Sequence, residues 1–424
     1  MPEIPLVLNC THVTLSNYRN WARLDLAPHP RLNLVTGPNA QGKSNLLEAL
    51  YALVTTRPYR AQKDAEAVRF GETVAHVRAA FAAGGRNVSC EIVWERKPDG
   101  RHRKEVRINR QNVQRLADVF GVARMVLFAP RDLELVSGGP EGRRKWLDLA
   151  LSQLYPTHLH ALTQYTRVLA ERNRLLKAAS GGARIDGALL DALTEQLVSW
   201  GAHLVERRRA ALRTLGETLE RLYRHLSGER DHVALHYVSS AEPLGGETAQ
   251  EALARLANMR ARLERERGMT LVGPHRDDVS ILLEEHPMRH FGSQGQIRCM
   301  SLAMRLAEAD LLEREGGEPP LLLLDDCLSE MDLMRQDALW AYLAERSQVF
   351  LTTSVWPREQ RLPFEGHIFR VAGGAVEDGN DTPDRAVGGS GLVLETVNEA
   401  VGRGLERGGE TRGLEDGGNV SCSA

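Results

Sequence analysis

The sequence predicts an α/β fold: a split core built on a parallel sheet, an attached antiparallel β subdomain and an inserted α-helical arm. Three observations lead to this prediction. The continuous apolar run PLLLLD at 320–325 is typical of a parallel strand covered on both faces, QVFLTTS at 348–354 resembles it, and RLNLVTG at 31–37 is predicted to be a further buried strand. Residues 66–116 alternate apolar and polar side chains, as half-buried antiparallel strands do. Residues 141–267 repeat instead with helical periodicity.

The order of these segments divides the chain into four parts. Residues 1–140 contain the N-terminal part of the core with the β subdomain, and residues 141–267 form the arm. Residues 268–373 return to α/β character and complete the core. Residues 374–424 are dominated by Gly, Asp, Glu and Ser, which predicts a mostly disordered tail.

Within the arm, the Gly/Ser-rich break SGGARIDG separates two long helical runs, which predicts two antiparallel helices. A third helix is predicted over 247–267. An ordinary helical bundle is the alternative interpretation, but the polar, Arg-rich faces favour a protruding arm. In the β subdomain, Asp99-Gly100 is the turn signal of a hairpin.

Bulk properties exclude several classes of protein. The formal net charge is −2, so any contact with nucleic acid requires a local basic patch. No apolar run approaches the roughly 18 residues of a membrane helix. The cysteines are odd in number and lack metal-ligand or redox spacing, which favours a reducing compartment and predicts a cytoplasmic protein without membrane contact. They are Cys10, Cys90, Cys299, Cys327 and Cys422.

The most specific motif is GPNAQGKS, which lies between a predicted strand and a predicted helix. It satisfies G-x-x-x-x-G-K-[ST], the pattern of a phosphate-binding loop, in the required context. Glycines let the backbone wrap a phosphate, and the helix N-terminus attracts the anion. Lys43 would bridge the β- and γ-phosphates of ATP, and Ser44 would ligate Mg²⁺. The predicted nucleotide-binding residues here are Gly37, Pro38, Asn39, Ala40, Gln41, Gly42, Lys43 and Ser44.

A pair of carboxylates follows the second apolar strand, in LLLLDDCLSEMD at 321–332. Ligands of open α/β sheets bind at the carboxyl ends of the strands. Asp325 is therefore expected to hold Mg²⁺, and Asp326 to orient or deprotonate an attacking water. Paired carboxylates alone indicate little, but together with the loop they predict a P-loop NTPase with Lys43 and Asp326 as catalytic residues.

The segment GSQGQIRCMSLAMRLAEADLL begins at Gly292, and by itself it is best interpreted as a core helix capped by Ser293. In the order phosphate loop, S-x-G-Q, DD and SEMD, however, the chain resembles ABC-type ATPases. In that class the Ser-Gly-Gln segment of one subunit closes on ATP held by another, in a head-to-tail dimer. The resemblance implies that Ser293 and Gln296 contact nucleotide across a homodimer. It also implies that Ser329 and Asp332 meet the partner subunit.

Six segments together resemble the bacterial RecF recombination-mediator family, in that family's order and over residues 7–373. LVGPHRDD is the most family-specific of them, and it separates RecF from the SMC and Rad50 heads, which carry far longer coiled coils. An SMC- or Rad50-like protein, or another ABC-class ATPase with a different partner, is the alternative. The segments are NYRNW (17–21), GPNAQGKSNLLEAL (37–50), GRRKWLD (142–148), LVGPHRDD (271–278), SQGQ (293–296) and DDCLSEMD (325–332).

This resemblance implies an ATP-dependent dimer that binds DNA and favours gapped or single-strand/double-strand junctions. With RecR and RecO, such a protein helps to place RecA on single strands in repair, replication restart and the SOS response. The resemblance also implies a weak Mg²⁺-dependent ATPase that DNA stimulates.

Three departures from the wider ABC pattern favour slow hydrolysis. Asp326 stands where transporters place Glu, Thr352–Ser354 stands where they carry a His, and 127–136 lacks a clear Gln counterpart. ATP is then expected to act more as a clamp than as a power source. A motor or transporter subunit, and a non-enzymatic adaptor that binds nucleotide only to dimerise, are the competing hypotheses.

Two basic segments are candidates for DNA contact, although a solvated charged face would have the same composition. The arm offers Arg207, Arg208 and Arg209. The predicted hairpin offers Arg96, Lys97, Arg101, Arg103, Lys104, Arg107, Arg110 and Arg115.

Overall fold

Three β-sheets organise the part of the chain described by the structure, a computed structural model. It describes residues 8–378 except 62, 84, 98, 100, 229, 230, 330, 347, 358 and 359. The described residues belong to one compact unit, Met1–Asn380. The division into core, arm and tail therefore stays a prediction.

The helices and strands follow one another in this order along the chain. The N-terminal part contains β1 Asn9–Tyr18, β2 Trp21–Leu26, β3 Leu32–Thr36, α1 Lys43–Thr55, β4 Val74–Ala83, β5 Arg86–Arg96, β6 His102–Ile108, β7 Gln111–Asn112 and β8 Met125–Phe128. The middle contains α2 Leu133–Ser137, α3 Pro140–Leu154, α4 Pro156–Ser180, α5 Gly187–Ser227, β9 Val233–Val238 and α6 Ala249–Arg267. The C-terminal part contains β10 Asp278–Leu283, β11 His286–Pro287, α7 Met288–Phe291, α8 Gln294–Gly316, β12 Leu321–Asp325, α9 Leu333–Ala344, β13 Val349–Thr353, β14 Gly366–Ala372 and β15 Ala375–Asp378.

The central sheet has the order β15-β14-β3-β13-β12-β8, and all its pairings are parallel except that of β15 with β14. Its strands are covered on both faces. Leu322 and Leu324 pack into the core with α5 and α8, whereas Leu321 and Leu323 pack into the core that contains α1. This confirms the prediction from PLLLLD, because a strand buried on both faces needs an unbroken apolar run.

The antiparallel sheet has the order β2-β1-β4-β5-β6-β7, and α1 packs between it and the central sheet. The predicted hairpin joins β5 to β6, with Arg96 opposite His102. The predicted subdomain at 66–116 is incomplete, because the N-terminal strands β1 and β2 belong to the same sheet.

The arm differs from the prediction in two places. The first helical run breaks into α3 and α4 at Tyr155, because Pro156 can start a helix but cannot continue one. A short strand, β9, separates α5 from α6 and pairs with β10, so residues within 141–267 also build a third sheet. The helix predicted at 247–267 is confirmed by α6, which Thr248 caps.

The C-terminal boundary of the core also differs. Gly373 and Gly374 have positive φ and turn the chain from β14 into β15, which lies beyond the predicted end of the core at 373. The remainder of the predicted tail, 379–424, lies outside the described residues. In the described part, no helix combines the length and apolarity that crossing a membrane demands. Four cysteines there are buried and form no disulfide, namely Cys10, Cys90, Cys299 and Cys327.

Candidate functional site

The loop between β3 and α1 requires glycine at two positions. Gly37 has a φ of 149°, and a Cβ there would lie 2.1 Å from the carbonyl oxygen of Val371. Gly42 has a φ of 107°, and a Cβ there would lie 2.6 Å from Oδ1 of Asn20. Any larger residue would meet both backbone strain and a steric clash. The intervening residues 38–40 are exposed, so the loop opens to solvent.

Side chains of the NYRNW segment hold this loop in place. Nε1 of Trp21 donates to the carbonyl oxygen of Gly42 at 3.0 Å, and Nδ2 of Asn20 donates to that of Ala40 at 3.4 Å. From the other side of the loop, Oε1 of Gln41 accepts a hydrogen bond of 2.8 Å from a backbone N–H in the β14–β15 turn. The loop is therefore fixed by contacts on both sides.

Helix α1 begins at Lys43 without a side-chain cap, so the N–H groups of its first turn are free to bind an anion. Nζ of Lys43 donates to the carbonyl oxygens of Gly37 and Pro38, at 2.6 and 2.8 Å. Burial lowers the pKa of Lys43, and the negative charges of Asp326 and Asp325 partly oppose that shift. The arrangement places a desolvated cation beside an open helix N-terminus.

The structure brings the loop and the paired carboxylates together. Oγ of Ser44 donates to Oδ1 of Asp325 at 2.6 Å, and Oγ1 of Thr352 donates to the same oxygen at 2.8 Å. The Asp325 side chain is only 1% exposed. A hydroxyl and a carboxylate thus converge where β12 ends beside the start of α1.

Two residues that the sequence analysis did not select also reach Asp325. Nη2 of Arg60 lies 2.5 Å from its Oδ2, and the hydroxyl of Tyr59 donates to the same oxygen at 3.3 Å. Both follow α1 in the stretch TTRPYR, which matches no motif. A Pro and two cations directly after the loop helix were the only sequence signal for them.

Asp326 is held in a strained conformation. Its φ is 49°, in the left-handed region, and its N–H donates to both Oγ1 and the carbonyl oxygen of Thr352, at 3.0 and 3.2 Å. Its Oδ1 is buried and without a hydrogen-bond partner among the described residues. Burial raises the pKa of Asp326, and the charge of Asp325 raises it further. An unsatisfied carboxylate oxygen of this kind is able to accept a hydrogen bond from a water molecule.

The donor set fits Mg²⁺ only in combination with phosphate. Among the described residues, no cluster of three or more His, Cys, Asp or Glu side chains could hold a metal ion. Mg²⁺ commonly binds one or two carboxylates together with water and substrate phosphates. Ser44 and Asp325 offer such a partial set beside a loop shaped for phosphate.

The predicted signature caps a helix on the protein surface. Ser293 is the N-cap of α8: its Oγ accepts from the N–H of Gln296 at 3.2 Å, and Oε1 of Gln296 accepts from the N–H of Ser293 at 3.0 Å. This reciprocal pair is a capping box. Nε2 of Gln296 also donates to Asp231 at 3.2 Å. Ser293 is exposed, so the cap leaves the start of α8 accessible.

The loop after β12 lies beside this signature. Oγ of Ser329 donates to the carbonyl oxygen of Asp326 at 3.2 Å, and Asp332 caps α9 by accepting from the N–H of Arg335 at 2.9 Å. Arg335 and Gly295 line the same small cavity, which joins the starts of α8 and α9. Ser329 and Asp332 are exposed.

Comparison with known proteins identifies the family. The RecF/RecN/SMC N-terminal domain model matches residues 9–359. The DNA replication and repair protein RecF of Lacticaseibacillus casei (strain BL23) is 37% identical over 346 residues, which cover 81% of this chain and 92% of that protein. The chain belongs to the RecF family.

Solved structures agree with the RecF assignment. A structure of the recombination mediator protein RecF with ATP in the RecFOR pathway has a TM-score of 0.80 at 30% identity, covering 89% of this chain and 99% of that one. An Smc head domain derived from Pyrococcus furiosus, bound to the C-terminal domain of ScpA, has a TM-score of 0.50 at 12% identity and covers 88% and 96% of the two chains. That likeness shows the fold alone. The predicted ABC-type fold is confirmed, and so is RecF over the SMC-like alternative.

The segment LVGPHRDD at 271–278 forms a partly buried polar network. The hydroxyl of Tyr165 donates to Nδ1 of His275 at 2.6 Å, and that of Tyr237 donates to Asp277 at 2.6 Å. Burial lowers the pKa of His275 to about 4. The positively charged Arg276 contributes to this lowering. These contacts join α4 and β9 to the segment that leads into β10, so the segment contributes to the packing of these elements.

The prediction of a DNA-binding cluster in the arm is wrong for Arg208. This side chain is buried, its Nη2 lies 2.7 Å from Asp148, and its Nη1 donates to the carbonyl oxygen of Pro274 at 2.8 Å. Its neighbour Arg209 is also engaged, because it pairs with Glu242 at 2.9 Å. A run of three arginines on a helix cannot lie entirely on one exposed face, since successive residues point about 100° apart.

Acidic side chains neutralise much of the basic hairpin. Arg103 and Arg107 both pair with Glu105, at 2.5 and 2.8 Å, and Lys104 pairs with Asp64 at 3.0 Å. These cations are therefore weaker candidates for phosphate contact than the count of basic residues suggested. Contact of the hairpin with DNA stays a prediction.

Proposed function

We propose that this chain is an ATP-binding protein of DNA replication and repair in which ATP and Mg²⁺ hold two copies together on DNA. The observation that carries the proposal is the contact between Ser44 and Asp325, since it unites a phosphate-shaped loop with a metal-binding carboxylate. Membership of the RecF family and the ATP-bound relative support it.

ATP would enter along the open side of the loop. Lys43 would exchange its two carbonyl partners for the β- and γ-phosphates, which attract its charge more strongly. The N–H groups at the start of α1 would bind phosphate oxygens. Mg²⁺, held by Ser44 and Asp325, would neutralise charge on the phosphates. Pro38–Ala40 contribute exposed backbone to the same cradle.

Dimerisation would complete the site. The exposed Ser293 of one copy would contact the γ-phosphate held by the other, with Gln296 fixing the turn that presents it. The flanking surface supports an interface, because Phe291, Leu333 and Met334 are 66%, 78% and 58% exposed. Apolar side chains exposed to that extent around a polar cap are typical of protein–protein contacts.

Hydrolysis would be slow and would release the dimer. Asp326 can orient a water through its unsatisfied Oδ1, but it is one methylene shorter than a Glu. Within Thr352–Ser354, the stretch that stands where transporters carry a His, Oγ1 of Thr352 is engaged with Asp325 and Asp326. These features support a weak Mg²⁺-dependent ATPase in which nucleotide acts as a clamp.

The pathway assignment follows from the family. We propose that the dimer binds gapped or single-strand/double-strand junction DNA and acts with RecR, RecO and RecA in repair and the SOS response. The four buried cysteines outside disulfides are compatible with the cytoplasm. Exposed cations of the hairpin region that are candidates for DNA phosphates are Arg96, Lys97, Arg110 and Arg115.

Sedimentation velocity tests the proposal directly. The protein is run with and without Mg²⁺ and ATP, each alone, with gapped DNA and with fully duplex DNA. We expect a dimer only with Mg²⁺ and ATP, and tighter association with gapped DNA. Lys43→Ala should stay monomeric in every condition. A monomer throughout, or a dimer independent of nucleotide, would contradict the proposal.

Asp326→Asn separates this function from that of a non-enzymatic adaptor. We expect the variant to lose turnover, to dimerise with ATP and to dissociate more slowly than the unaltered chain. An adaptor that uses nucleotide only for dimerisation would show the same dissociation rate in both proteins.

A further inference from the structure

Arg60 occupies the second oxygen of the carboxylate that would hold Mg²⁺. Its Nη2 lies 2.5 Å from Oδ2 of Asp325, while Ser44 and Thr352 take Oδ1. The Asp325 side chain is 1% exposed and that of Arg60 is 39% exposed. Both carboxylate oxygens are thus engaged, and the guanidinium is the only charged group among their hydrogen-bonding partners in the described residues.

The backbone of Arg60 is fixed, although its side chain reaches solvent. The N–H of Arg60 donates to Oε1 of Glu48 at 3.0 Å, and two guanidinium nitrogens of Arg19 donate to Glu48, each at 2.9 Å. The guanidinium of Arg60 lies over the ring of Tyr59, with 5.2 Å to the centroid. The side chain can therefore change partner without movement of the main chain.

A metal ion at Asp325 has to compete with this guanidinium. Two cations at one carboxylate repel each other, and the gain from each pairing falls when the carboxylate is shared. Mg²⁺ binding is consequently weakened as long as Arg60 stays on Asp325. A ligand that attracts Arg60 away from Asp325 should therefore strengthen Mg²⁺ binding.

A basic cleft on the other side of Arg60 provides such an attraction. The cleft has a volume of about 820 Å³, and six basic and three acidic residues line it. Two of the acids are already neutralised, because Asp64 pairs with Lys104 and Asp132 pairs with Arg305. Arg305 is itself one of the six basic residues, so the lining keeps a moderate net positive charge. Its exposed cations besides Arg60 are Arg57, Lys63, Arg131 and Lys145.

Several exposed cations spread along one cleft suit a ligand with repeated negative charges, which the phosphates of a nucleic-acid strand supply. The exposed guanidinium of Arg60 lines this cleft as well as contacting Asp325. We propose that Arg60 is a switch cation that couples a nucleic-acid strand in this cleft to Mg²⁺ binding at Asp325. The inference rests on the proposed nucleotide-dependent binding of DNA.

By linkage, the coupling is reciprocal. A strand in the cleft attracts Arg60 and tightens Mg²⁺ binding, and Mg²⁺ tightens the strand to the same extent. Without DNA, Arg60 keeps Asp325 neutralised and holds back the nucleotide clamp.

The test is a Mg²⁺ titration of fluorescent ATP binding to the full chain, with and without a single-stranded oligonucleotide. We expect the oligonucleotide to lower the Mg²⁺ midpoint by about two- to fivefold, the range of one partly exposed ion pair. Arg60→Gln should show the lowered midpoint without DNA and little further change with it. An unchanged or raised midpoint in this variant would overturn the proposal.

Charge-reversal variants locate the effect in the cleft. Lys63→Glu with Lys145→Glu should abolish the shift caused by the oligonucleotide. The matched control is Arg174→Glu with Lys177→Glu, two exposed cations on α4, and it should keep the shift. An equal loss in both double variants would mean that only overall charge matters, against the proposal.

Two further measurements show which of the two proposals fails if the expected shift is not seen. Polyglutamate of matched charge should not move the midpoint, and an equal shift would exclude specific recognition of a nucleic-acid strand. If no oligonucleotide binds in the presence of Mg²⁺ and ATP, the proposed function fails. If it binds but the midpoint stays constant, only the role of Arg60 and the cleft fails.

Discussion

Ser44 and Asp325 lie 281 positions apart in the chain and share a hydrogen bond of 2.6 Å. One belongs to the first turn of α1 and the other ends β12, and the chain between these two elements includes α2 to α8. The bond brings the loop and the carboxylate within reach of one metal ion. The site is therefore assembled by the tertiary fold and not by either motif alone.

Replacement of Ser44 by Ala should remove the Mg²⁺-dependent part of ATP affinity. We expect about a tenfold weaker binding in Mg²⁺, because one metal ligand is lost, and little change in EDTA. Ser137→Ala, which removes a hydroxyl bonded to Leu133 on the surface helix α2, is the control and should bind normally. Calorimetric titration in both buffers gives the comparison. A Mg²⁺ dependence that survives in Ser44→Ala would contradict the role of the hydroxyl.

Replacement of Gly37 by Ala should distort the loop. The added Cβ would lie 2.1 Å from the carbonyl oxygen of Val371, whereas at Gly85, also with positive φ, it would meet nothing within 4 Å. Gly85→Ala therefore reports the backbone strain alone, on the order of 1 kcal/mol. We expect Gly37→Ala to lose clearly more free energy of unfolding and to lose ATP binding. Equal losses in urea unfolding would show that the close approach to β14 does not matter.

Replacement of Asp326 by Asn should slow hydrolysis by about a hundredfold or more, since the group that positions the water is lost. The raised pKa of Asp326 means that ionisation is less favourable in the folded state than in the unfolded chain. At neutral pH the carboxylate therefore opposes folding, and Asn should raise the melting temperature. In the unaltered protein, single-turnover hydrolysis should fall as the pH drops through that raised pKa. A lower melting temperature in the variant would show that the carboxylate stabilises the fold instead.

Some of the site could be predicted from the sequence because its signals are local. The phosphate loop needs two glycines, a Lys and a Ser at fixed spacing, and its strand and helix adjoin it. Asp325 follows a strand whose leucines are required on both faces of one sheet. Backbone conformation in the loop and burial of the strand depend on neighbouring residues, so the sequence pattern is sufficient to predict both.

Other features depend on contacts that no short pattern encodes. Arg60 meets Asp325 across 265 positions, and Arg208 is buried because Asp148, from another helix, reaches it. Local composition cannot separate an arginine that faces solvent from one that pairs with a distant carboxylate. The strand β9 was missed for a related reason: only its partner β10, across the whole of α6, makes it a strand.

The partly buried His275 should make stability depend on pH. Its pKa is lowered from 6.5 to about 4, chiefly by burial, so below pH 6.5 the unfolded chain binds a proton that the folded chain does not. The stability associated with neutral His275 is thus fully present above pH 6.5 and is lost as the pH falls toward 4. The difference between pH 7 and pH 5 should be about 2 kcal/mol.

His275→Gln should reduce the pH dependence of the free energy of unfolding by that amount. The control is His203→Gln, at an exposed position on α5, and it should leave the dependence unchanged. Urea unfolding at pH 7 and pH 5 measures the free energy of unfolding. An identical pH dependence in His275→Gln and the unaltered chain would assign that dependence to other groups. If the dependence does fall, the segment LVGPHRDD, which contains His275, contributes to stability through its contacts with α4 and β9.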